Sequence, residues 1–285
     1  RSISVNQPIL SSVEAFQLRY LVDQGNNTTR WQRAPAIQTA GTWNQVVAVE
    51  ICLQVRGEVN HGTLMTGNEP IPGAETAIRF LQENNIPYRY ISNGTRKSRK
   101  NVLKKLERLG VRVSIDEIYT PAIAAIQYLH DRTIRICNLL VTDDLGEDFQ
   151  EAGIVHNGSA STVVVGDAGD RFTYASMNAA FRSLMQGGEL IALEKDRYWK
   201  DVDGLSLSAG PFVTALEFST RCTAVVMGKP SPHFFLAAMK DWNVQKKQVL
   251  MIGDDIMTDV KGAQDAGLLG AITLTGKCRH DEIRN

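Results

Sequence analysis

The chain has 285 residues, and its 31 Lys and Arg residues balance its 31 Asp and Glu residues. A chain of this length can bury a large core, and its zero net charge argues against nucleic acid or an anionic membrane surface as a partner. No apolar run approaches the roughly 20 residues that span a bilayer, and the four cysteines lack CxxC spacing. We therefore expect a cytoplasmic protein with no membrane partner, zinc site or disulfide framework.

The first 45 residues are rich in Asn, Gln, Thr and Ser and contain turn-prone segments such as DQGNNTTRW. The chain starts with Arg1 rather than methionine, which we interpret as a processed chain or a fragment. The run VVAVEICLQV follows at residues 46–55, and its apolar and β-branched residues predict a strand. Arg56 and Gly57 then interrupt this strand.

From residue 72 onward, predicted strands and helices alternate. The segments GAETAIRFLQENN and SRKNVLKKLERLG are amphipathic, which predicts helices. Apolar strands are predicted in YRYISN, ICNLLVTDD, STVVVGDAGD, CTAVVMGKPSP and VLMIGDD, each of which ends in small or charged residues. Strands that are apolar throughout and alternate with helices indicate a parallel sheet covered on both faces. Ligands of such sheets bind at the carboxyl ends of the strands.

The stretch MIGDDIMTDV places three carboxylates after a predicted strand. Asp254 and Asp255 follow Gly253 directly, and Asp259 lies about one helical turn further on. Clustered carboxylates suit a hard cation such as Mg²⁺, which keeps several waters and shares a substrate phosphate. For a single Asp, capping of a helix is the alternative, because Asp is favoured at helix N-termini. The complete pattern favours a metal site formed by Asp254, Asp255 and Asp259.

Two further strand ends carry candidate phosphate-binding groups. Lys229 follows the strand in VVMGKPSP, where its ammonium can neutralise a phosphate and a neighbouring carboxylate. A second turn offers a hydroxyl, an amide and backbone N–H groups, from Ser92, Asn93, Gly94 and Thr95. The alternatives are a solvated surface lysine and an ordinary polar turn. A functional role for Lys229 is favoured over a solvated surface lysine because the aspartate cluster would be its partner.

Taken together, these elements resemble the haloacid dehalogenase superfamily, in particular the subfamily of phosphatases with a large cap inserted in mid-chain. The hydrolase-domain-containing-2 and phospholysine/phosphohistidine phosphatase type is the most similar. The resemblance covers residues 61–285 and implies an α/β fold: a doubly wound, Rossmann-like parallel sheet with an inserted α/β cap. We expect core residues at 61–118 and 221–285, a cap at 119–220, and a C-terminus that is cut short.

The resemblance also implies roles for individual residues. Ser92 corresponds to the phosphate-binding hydroxyl, with Asn93 and Gly94 beside it, and Lys229 to the lysine that steadies the phosphoryl group. The implied substrate is a small phosphorylated molecule, and the resemblance allows a homodimer formed through the cap.

The same resemblance assigns the metal. Asp254 corresponds to the residue that ligates Mg²⁺, while Asp255 and Asp259 complete or orient the acidic site. We predict that Ser92, Lys229, Asp254 and Asp259 converge on one cleft, because each follows its own apolar strand and the strand ends of one sheet lie together.

The family's two reacting carboxylates have no counterpart here. They belong to a DxDGT-type motif, and aligning it with the GTL turn at residues 62–64 places Val59 at the nucleophile position and His61 at the acid position. The other register places Gln54 and Arg56 there. Because valine cannot attack phosphorus, we expect a Mg²⁺-dependent phosphomonoester phosphatase that is inactive or severely weakened. With the nucleophile's oxygens missing, Mg²⁺ binding should be weak.

Residues 11–59 instead resemble the globular part of a PilW-type minor pilin, so residues 1–60 are expected to be a pilin-like segment. Three alternatives therefore stay open: a non-catalytic phosphate- or metal-binding scaffold, a pilus-related subunit, and a chimaeric fragment. A parallel sheet of the predicted kind needs a central strand before the GTL turn, because an empty slot would leave backbone groups of both neighbours unpaired. We predict that residues 46–55 fill this slot.

Overall fold

The computed structural model describes residues 74–273, except positions 109 and 202, together with the backbone of five earlier strands. Side chains are described within 74–273, except at 109, 200 and 202. The strands, in chain order, are β1 (Arg19–Asp23), β2 (Thr29–Arg33), β3 (Ala48–Cys52), β4 (Met65–Thr66), β5 (Glu69–Pro70), β6 (Tyr88–Ile91), β7 (Ile118–Tyr119), β8 (Ile136–Leu140), β9 (Val155–His156), β10 (Thr162–Val165), β11 (Glu189–Ala192), β12 (Tyr198–Lys200), β13 (Leu205–Leu207), β14 (Val225–Val226), β15 (Val249–Gly253) and β16 (Leu269–Ile272).

The α-helices follow the amphipathic segments. They are α1 (Ala74–Glu83), α2 (Arg99–Arg108), α3 (Pro121–Asp131), α4 (Asp143–Glu151), α5 (Tyr174–Met185), α6 (Ala209–Thr220), α7 (Pro232–Ala238) and α8 (Gly262–Asp265). A π-helix spans Ile256–Lys261, and 3-10 turns span Ile115–Glu117, Gly169–Arg171 and Lys246–Gln248. Over the described residues, the helices are all too short or too polar to cross a membrane.

The first large sheet is parallel, with strand order β16-β15-β3-β6-β7. Its central strand is β3, which pairs with β15 on one side (Ala48 with Val249, Ile51 with Ile252) and with β6 on the other. The prediction that the apolar run before the GTL turn fills the central slot is therefore confirmed for residues 48–52. The remainder of residues 46–55, and the positions of Val59 and His61, lie outside the described residues.

The second large sheet is also parallel, with strand order β14-β11-β10-β8-β9. The strand β10 reads Thr-Val-Val-Val and is buried along its whole length, because helices cover both of its faces. The parallel α/β fold predicted from the sequence is confirmed by both sheets. The second sheet also takes Val225–Val226, which the sequence-based division assigned to the second core segment.

One hydrophobic core joins the two sheets, because α3 and α7 pack between them. Helix α3 begins at Thr120, whose hydroxyl accepts a hydrogen bond from the backbone of Ile123, and Pro121 is pre-set for the first turn. The cluster contains residues from the first sheet, the helices and the second sheet: Ile91, Met251, Ala125, Leu129, Phe234, Phe235, Val164 and Ile191. Burial of each large apolar side chain contributes about 1.5–3 kcal/mol, so the sheets stabilise each other.

Candidate functional site

The candidate site lies where the carboxyl ends of the two sheets meet. Ser92 and Asp254 follow β6 and β15 of the first sheet, whereas Lys229 follows β14 of the second. The sequence argument placed all of these residues on one sheet, and that reason is wrong for Lys229. The structure nevertheless brings Lys229 to the first sheet, through hydrogen bonds with Asn93 and an ion pair with Asp259.

Asn93 holds the backbone of Lys229 from both sides. Its amide nitrogen donates to the Lys229 carbonyl at 2.9 Å, and its amide oxygen accepts from the Lys229 N–H at 2.7 Å. A side chain at Gly228 could not be accommodated, since its Cβ would lie 2.6 Å from the Asn93 oxygen and 2.5 Å from the Leu193 carbonyl. Glycine before the lysine therefore permits this close approach between the sheets.

Lys229 and Asp259 form a buried ion pair. The Lys229 ammonium donates to Asp259 Oδ1 at 2.6 Å, with side-chain exposures of 6% and 1%. The other oxygen, Oδ2, accepts from the backbone N–H groups of Asp254 and Asp255, each at 3.1 Å. A charge this deeply buried is tolerated only when it is paired and hydrogen-bonded. Both conditions are met for Asp259.

The turn at Gly253 makes room for that carboxylate. A Cβ on Gly253 would lie only 2.3 Å from Asp259 Cβ and Oδ2, so any larger residue would displace the aspartate. The Gly-Asp-Asp pattern recognised in the sequence thus has a steric cause in addition to its charges.

Asp255 acts as a helix cap. Its Oδ1 accepts from the backbone N–H groups of Met257 and Thr258, both at 3.0 Å, at the start of the π-helix. Capping was the alternative that the sequence left open for a single Asp, and Asp255 uses it. Asp254, at the end of β15, has only 1% of its surface exposed.

The three carboxylates that the sequence predicted as metal ligands thus make different contacts. Asp259 pairs with Lys229, Asp255 caps the π-helix, and Asp254 is the candidate ligand that follows the strand directly. In the part of the chain that the structure describes, no group of three or more His, Cys, Asp or Glu residues is arranged to hold a metal ion. This donor set fits a mostly hydrated Mg²⁺ held through Asp254, and not an ion enclosed by protein oxygens.

Ser92 lies at the end of β6 with 3% of its surface exposed. Its hydroxyl oxygen accepts from the Gly94 N–H at 3.0 Å, and its own N–H donates to the Tyr119 carbonyl on β7. The hydroxyl hydrogen can then be donated to an anion. Ser92 is thus fixed next to Asn93, which contacts the Lys229 backbone, and the phosphate-holding role of this turn stays a prediction.

The sequence did not reveal the contacts that hold this turn against residues of the second sheet and the hairpin β12–β13. Thr95 accepts a hydrogen bond from the Asp167 backbone at 3.0 Å, and both residues are buried. The Arg96 guanidinium lies 5.4 Å from the centre of the Trp199 ring and 3.7 Å from Asp167 Oδ2. These contacts place the hairpin β12–β13 next to the turn at residues 92–95, and only the folded structure reveals them.

A second set of hydrogen bonds and ion pairs connects α4 to the N-terminus of α2. Asp144 Oδ1 accepts hydrogen bonds from Ser98 N, Ser98 Oγ and Asn101, and Oδ2 pairs with Lys97 at 2.9 Å. Burial alone would raise the pKa of Asp144, but these hydrogen bonds to Ser98, Lys97 and Asn101 outweigh it and lower the pKa to about 2.

Asp148, one turn further along α4, accepts from the Arg99 N–H at 3.1 and 3.2 Å. Burial raises the pKa of Asp148 to about 6, and the Arg99 hydrogen bond offsets only part of that rise. Two carboxylates of one helix therefore satisfy the unpaired N–H groups at the start of another. In the sequence, 43–49 residues separate these partners, so no local pattern predicts the contact.

Three family models match the chain. The model described as haloacid dehalogenase-like hydrolase matches residues 60–155, and the one described as HAD-hydrolase-like matches residues 226–285. The third, type IV pilus-assembly protein W, matches residues 2–101. The strand β3 lies in the part matched by the pilus-assembly model alone, yet it forms the centre of the first sheet.

Relatives match most of the chain. Human haloacid dehalogenase-like hydrolase domain-containing protein 2 is 41% identical over 218 residues, which are 76% of this chain and 83% of that protein. Human phospholysine phosphohistidine inorganic pyrophosphate phosphatase is 38% identical over 225 residues, with 76% and 82% covered. A crystal structure of a 4-nitrophenylphosphatase from Thermotoga maritima is 25% identical, with a TM-score of 0.74 and 84% and 90% of the two chains covered.

Proposed function

Since the chain belongs to the haloacid dehalogenase-like hydrolase family, we propose that it binds a small phosphorylated molecule with a phosphatase-type site whose turnover is absent or severely weakened. The observation that carries this proposal is a mismatch within one site. Lys229, Asp259 and Asn93 are buried or half-buried and connected by hydrogen bonds. Aligning the GTL turn with the family's DxDGT-type motif puts Val59 and His61 at the two carboxylate positions, and the other register puts Gln54 and Arg56 there; neither register supplies a carboxylate.

The described residues support binding of a phosphate. The Lys229 ammonium carries three N–H donors, one of which bonds Asp259. The Ser92 hydroxyl and the Gly94 backbone belong to a turn whose shape is fixed by their mutual hydrogen bond. Hydrogen bonds to a charged group contribute about 1.5–3 kcal/mol each, so two or three such donors suffice for a phosphate site.

Hydrolysis in this family needs a carboxylate that attacks phosphorus, expels the alcohol and is then freed by water. Valine at position 59 has no nucleophilic atom. The remaining groups hold the phosphate and spread its charge, which supplies positioning and electrostatic stabilisation but no covalent step. A Mg²⁺ ion held weakly by Asp254 would supply neutralisation of the phosphate charge.

The proposal predicts that inorganic phosphate binds and that Ser92→Ala weakens this binding about tenfold, because one hydrogen bond to a charged oxygen is lost. Isothermal titration calorimetry with inorganic phosphate, with and without Mg²⁺, measures the change. The control is Lys240→Ala, which removes an exposed lysine that pairs with Asp131 and should leave the affinity unchanged. Saturable binding that is equal in Ser92→Ala and the unmodified protein would contradict the proposal, as would no binding at all.

A pilus-related subunit is the second candidate, and one observation favours it. The pilus-assembly model matches residues 2–101, which include the antiparallel hairpin β1–β2. The parallel pairing of β3 within the same match argues against this role for the whole chain. The phosphate titration separates the two candidates, since a pilus subunit has no need of a phosphate site.

A further inference from the structure

A cavity of about 660 Å³ lies beside the second sheet, away from the Lys229 site. Its wall includes the end of β8, the face of α4 with Gly146 and Glu147, the segment around His156, and Ser176 of α5. The phosphatase proposal assigns no role to this cavity.

The topology of the second sheet places the cavity at a characteristic position. Strand β8 is followed along the chain by β9 on one side and then by β10 on the other. The connection from β8 therefore leaves toward β9 and away from β10, and ligands of parallel sheets bind beyond the carboxyl ends of the strands, here that of β8. Thr142, Asp143 and Arg171 line the cavity at that end, and Asp143 pairs with Arg171 at 2.7 Å.

Asn138 presents an unpaired acceptor to this cavity. The residue is only 2% exposed, and its amide nitrogen donates to the Gly158 carbonyl at 3.1 Å. That carbonyl can only accept, so it fixes which end of the amide is nitrogen. The amide oxygen on the opposite side accepts no hydrogen bond from the described residues. Asn138 Oδ1 is not one of the buried polar atoms enclosed without a partner, so a ligand N–H can reach it from the cavity.

His156 adds a donor to the same wall. Its Nδ1 accepts from the Leu139 backbone N–H at 3.0 Å. In this arrangement the ring carries its hydrogen on Nε2, which can donate to a ligand carbonyl. The cavity thus combines an acceptor at Asn138 with a donor at His156.

Glycines keep the cavity open. A Cβ built on Gly146, Gly153 or Gly158 would meet no atom within 4 Å, and all three residues line the cavity. Gly146 lies inside α4, where glycine costs about 1 kcal/mol relative to alanine. The helix therefore keeps a destabilising residue at the position where a side chain would fill the space.

We propose that this cavity binds a small, neutral, planar molecule that presents an N–H donor beside a carbonyl acceptor, as a nucleobase-type cyclic amide does. The N–H would pair with Asn138 Oδ1 and the carbonyl with His156 Nε2. An anionic ligand is disfavoured, because Arg171 is already paired with Asp143 and Glu147 adds a negative charge to the wall.

Uracil is the probe, and ligand binding to the full chain is followed by NMR titration. Uracil should bind saturably, whereas 1,3-dimethyluracil, which lacks both N–H donors, should bind at least tenfold more weakly. Gly146→Leu should weaken uracil binding at least tenfold by filling the cavity, while Ala175→Leu, on an exposed position of α5 that does not line it, should not.

Because Gly146→Leu adds bulk, its thermal unfolding is measured alongside. Asn138→Leu provides a second variant of similar shape that lacks the acceptor, and it should also lose uracil binding. No saturable binding of uracil, equal binding of the dimethylated compound, or full binding by either folded variant would overturn the proposal.

Discussion

Lys229 and Asp259 carry opposite charges in a place that water barely reaches. The pair is held by a 2.6 Å hydrogen bond, and two backbone N–H groups occupy the second carboxylate oxygen. The net contribution of such a pair to stability is small, but the loss of one partner leaves an uncompensated buried charge. Asp259, fixed by these backbone hydrogen bonds, therefore holds the Lys229 ammonium in one position.

Asp259→Asn is expected to lower the free energy of unfolding by about 3–5 kcal/mol, since a buried ion pair would lose one of its two charges. Urea denaturation measures this loss. The matched control is Asp265→Asn, which removes the carboxylate of an exposed pair with Lys261 and should change stability by less than about 1 kcal/mol. Equal effects of the two variants would show that burial of the Lys229 pair has no energetic weight.

Parts of the site could be predicted from the sequence and others could not. Ser92, Lys229 and Asp254 each follow an apolar strand, and strand ends are visible in the sequence as the point where such a run stops. The partners of Asp259 and the cap formed by Asp255 depend on side-chain direction after the turn, which the Gly-Asp-Asp pattern does not encode. Thr95 and Asp167 meet through the packing of two sheets, and no local pattern in the sequence predicts that contact.

At the scale of elements, α4 holds the N-terminus of α2 through Asp144 and Asp148, and this end of α2 follows the turn at residues 92–95 by a few residues. The two carboxyls respond to pH in opposite directions. The folded pKa of Asp144 is lowered from 3.8 to about 2, so its stabilisation is complete above about pH 4 and is lost as the pH falls toward 2. The folded pKa of Asp148 is raised from 3.8 to about 6, so its contribution is complete below about pH 4 and is lost as the pH rises through 6.

Asn substitutions should separate these contributions. Asp144→Asn should destabilise the protein by about 2 kcal/mol near neutral pH, and the difference should vanish as the pH falls from 4 to 2. Asp148→Asn should become more stable relative to the unmodified protein, by about 2–3 kcal/mol, as the pH rises from 4 to 7. Denaturation curves across this range test both. Parallel pH profiles for the two variants would rule out the opposite shifts.

The strand β3 was predictable because a parallel sheet of this kind needs a central strand before the GTL turn. The apolar, β-branched run at residues 46–55 is the candidate that precedes this turn. A substitution that removes its hydrogen bonding should therefore unfold the first sheet. Ile51→Pro removes a backbone donor from a strand paired on both sides, and we expect a loss of at least about 3 kcal/mol. Gln32→Pro, in the two-stranded hairpin β1–β2, is the control and should cost less. Thermal unfolding followed by circular dichroism compares the stability of the two variants. A well-folded Ile51→Pro variant would show that β3 is not the central strand of the first sheet.

At the scale of the whole molecule, two parallel sheets share one core, and the site forms between their strand ends. The fold class and the family resemblance over residues 61–285 were accessible from strand and helix alternation and from four ordered motifs, and both are confirmed. The exact division between the sheets was not accessible. Val225–Val226 is apolar in either sheet, and only its pairing with β11 decides its place.

The central claim is that the site lacks its reacting carboxylates and keeps the groups that bind phosphate. It is tested most directly by the turnover of 4-nitrophenyl phosphate in the unmodified chain and in the double variant Val59→Asp with His61→Asp. The unmodified protein should show no turnover above background. The double variant should gain measurable turnover in the presence of Mg²⁺ and should lose it again when Ser92→Ala is added. Clear activity of the unmodified protein, or a folded double variant that stays inert, would contradict the account.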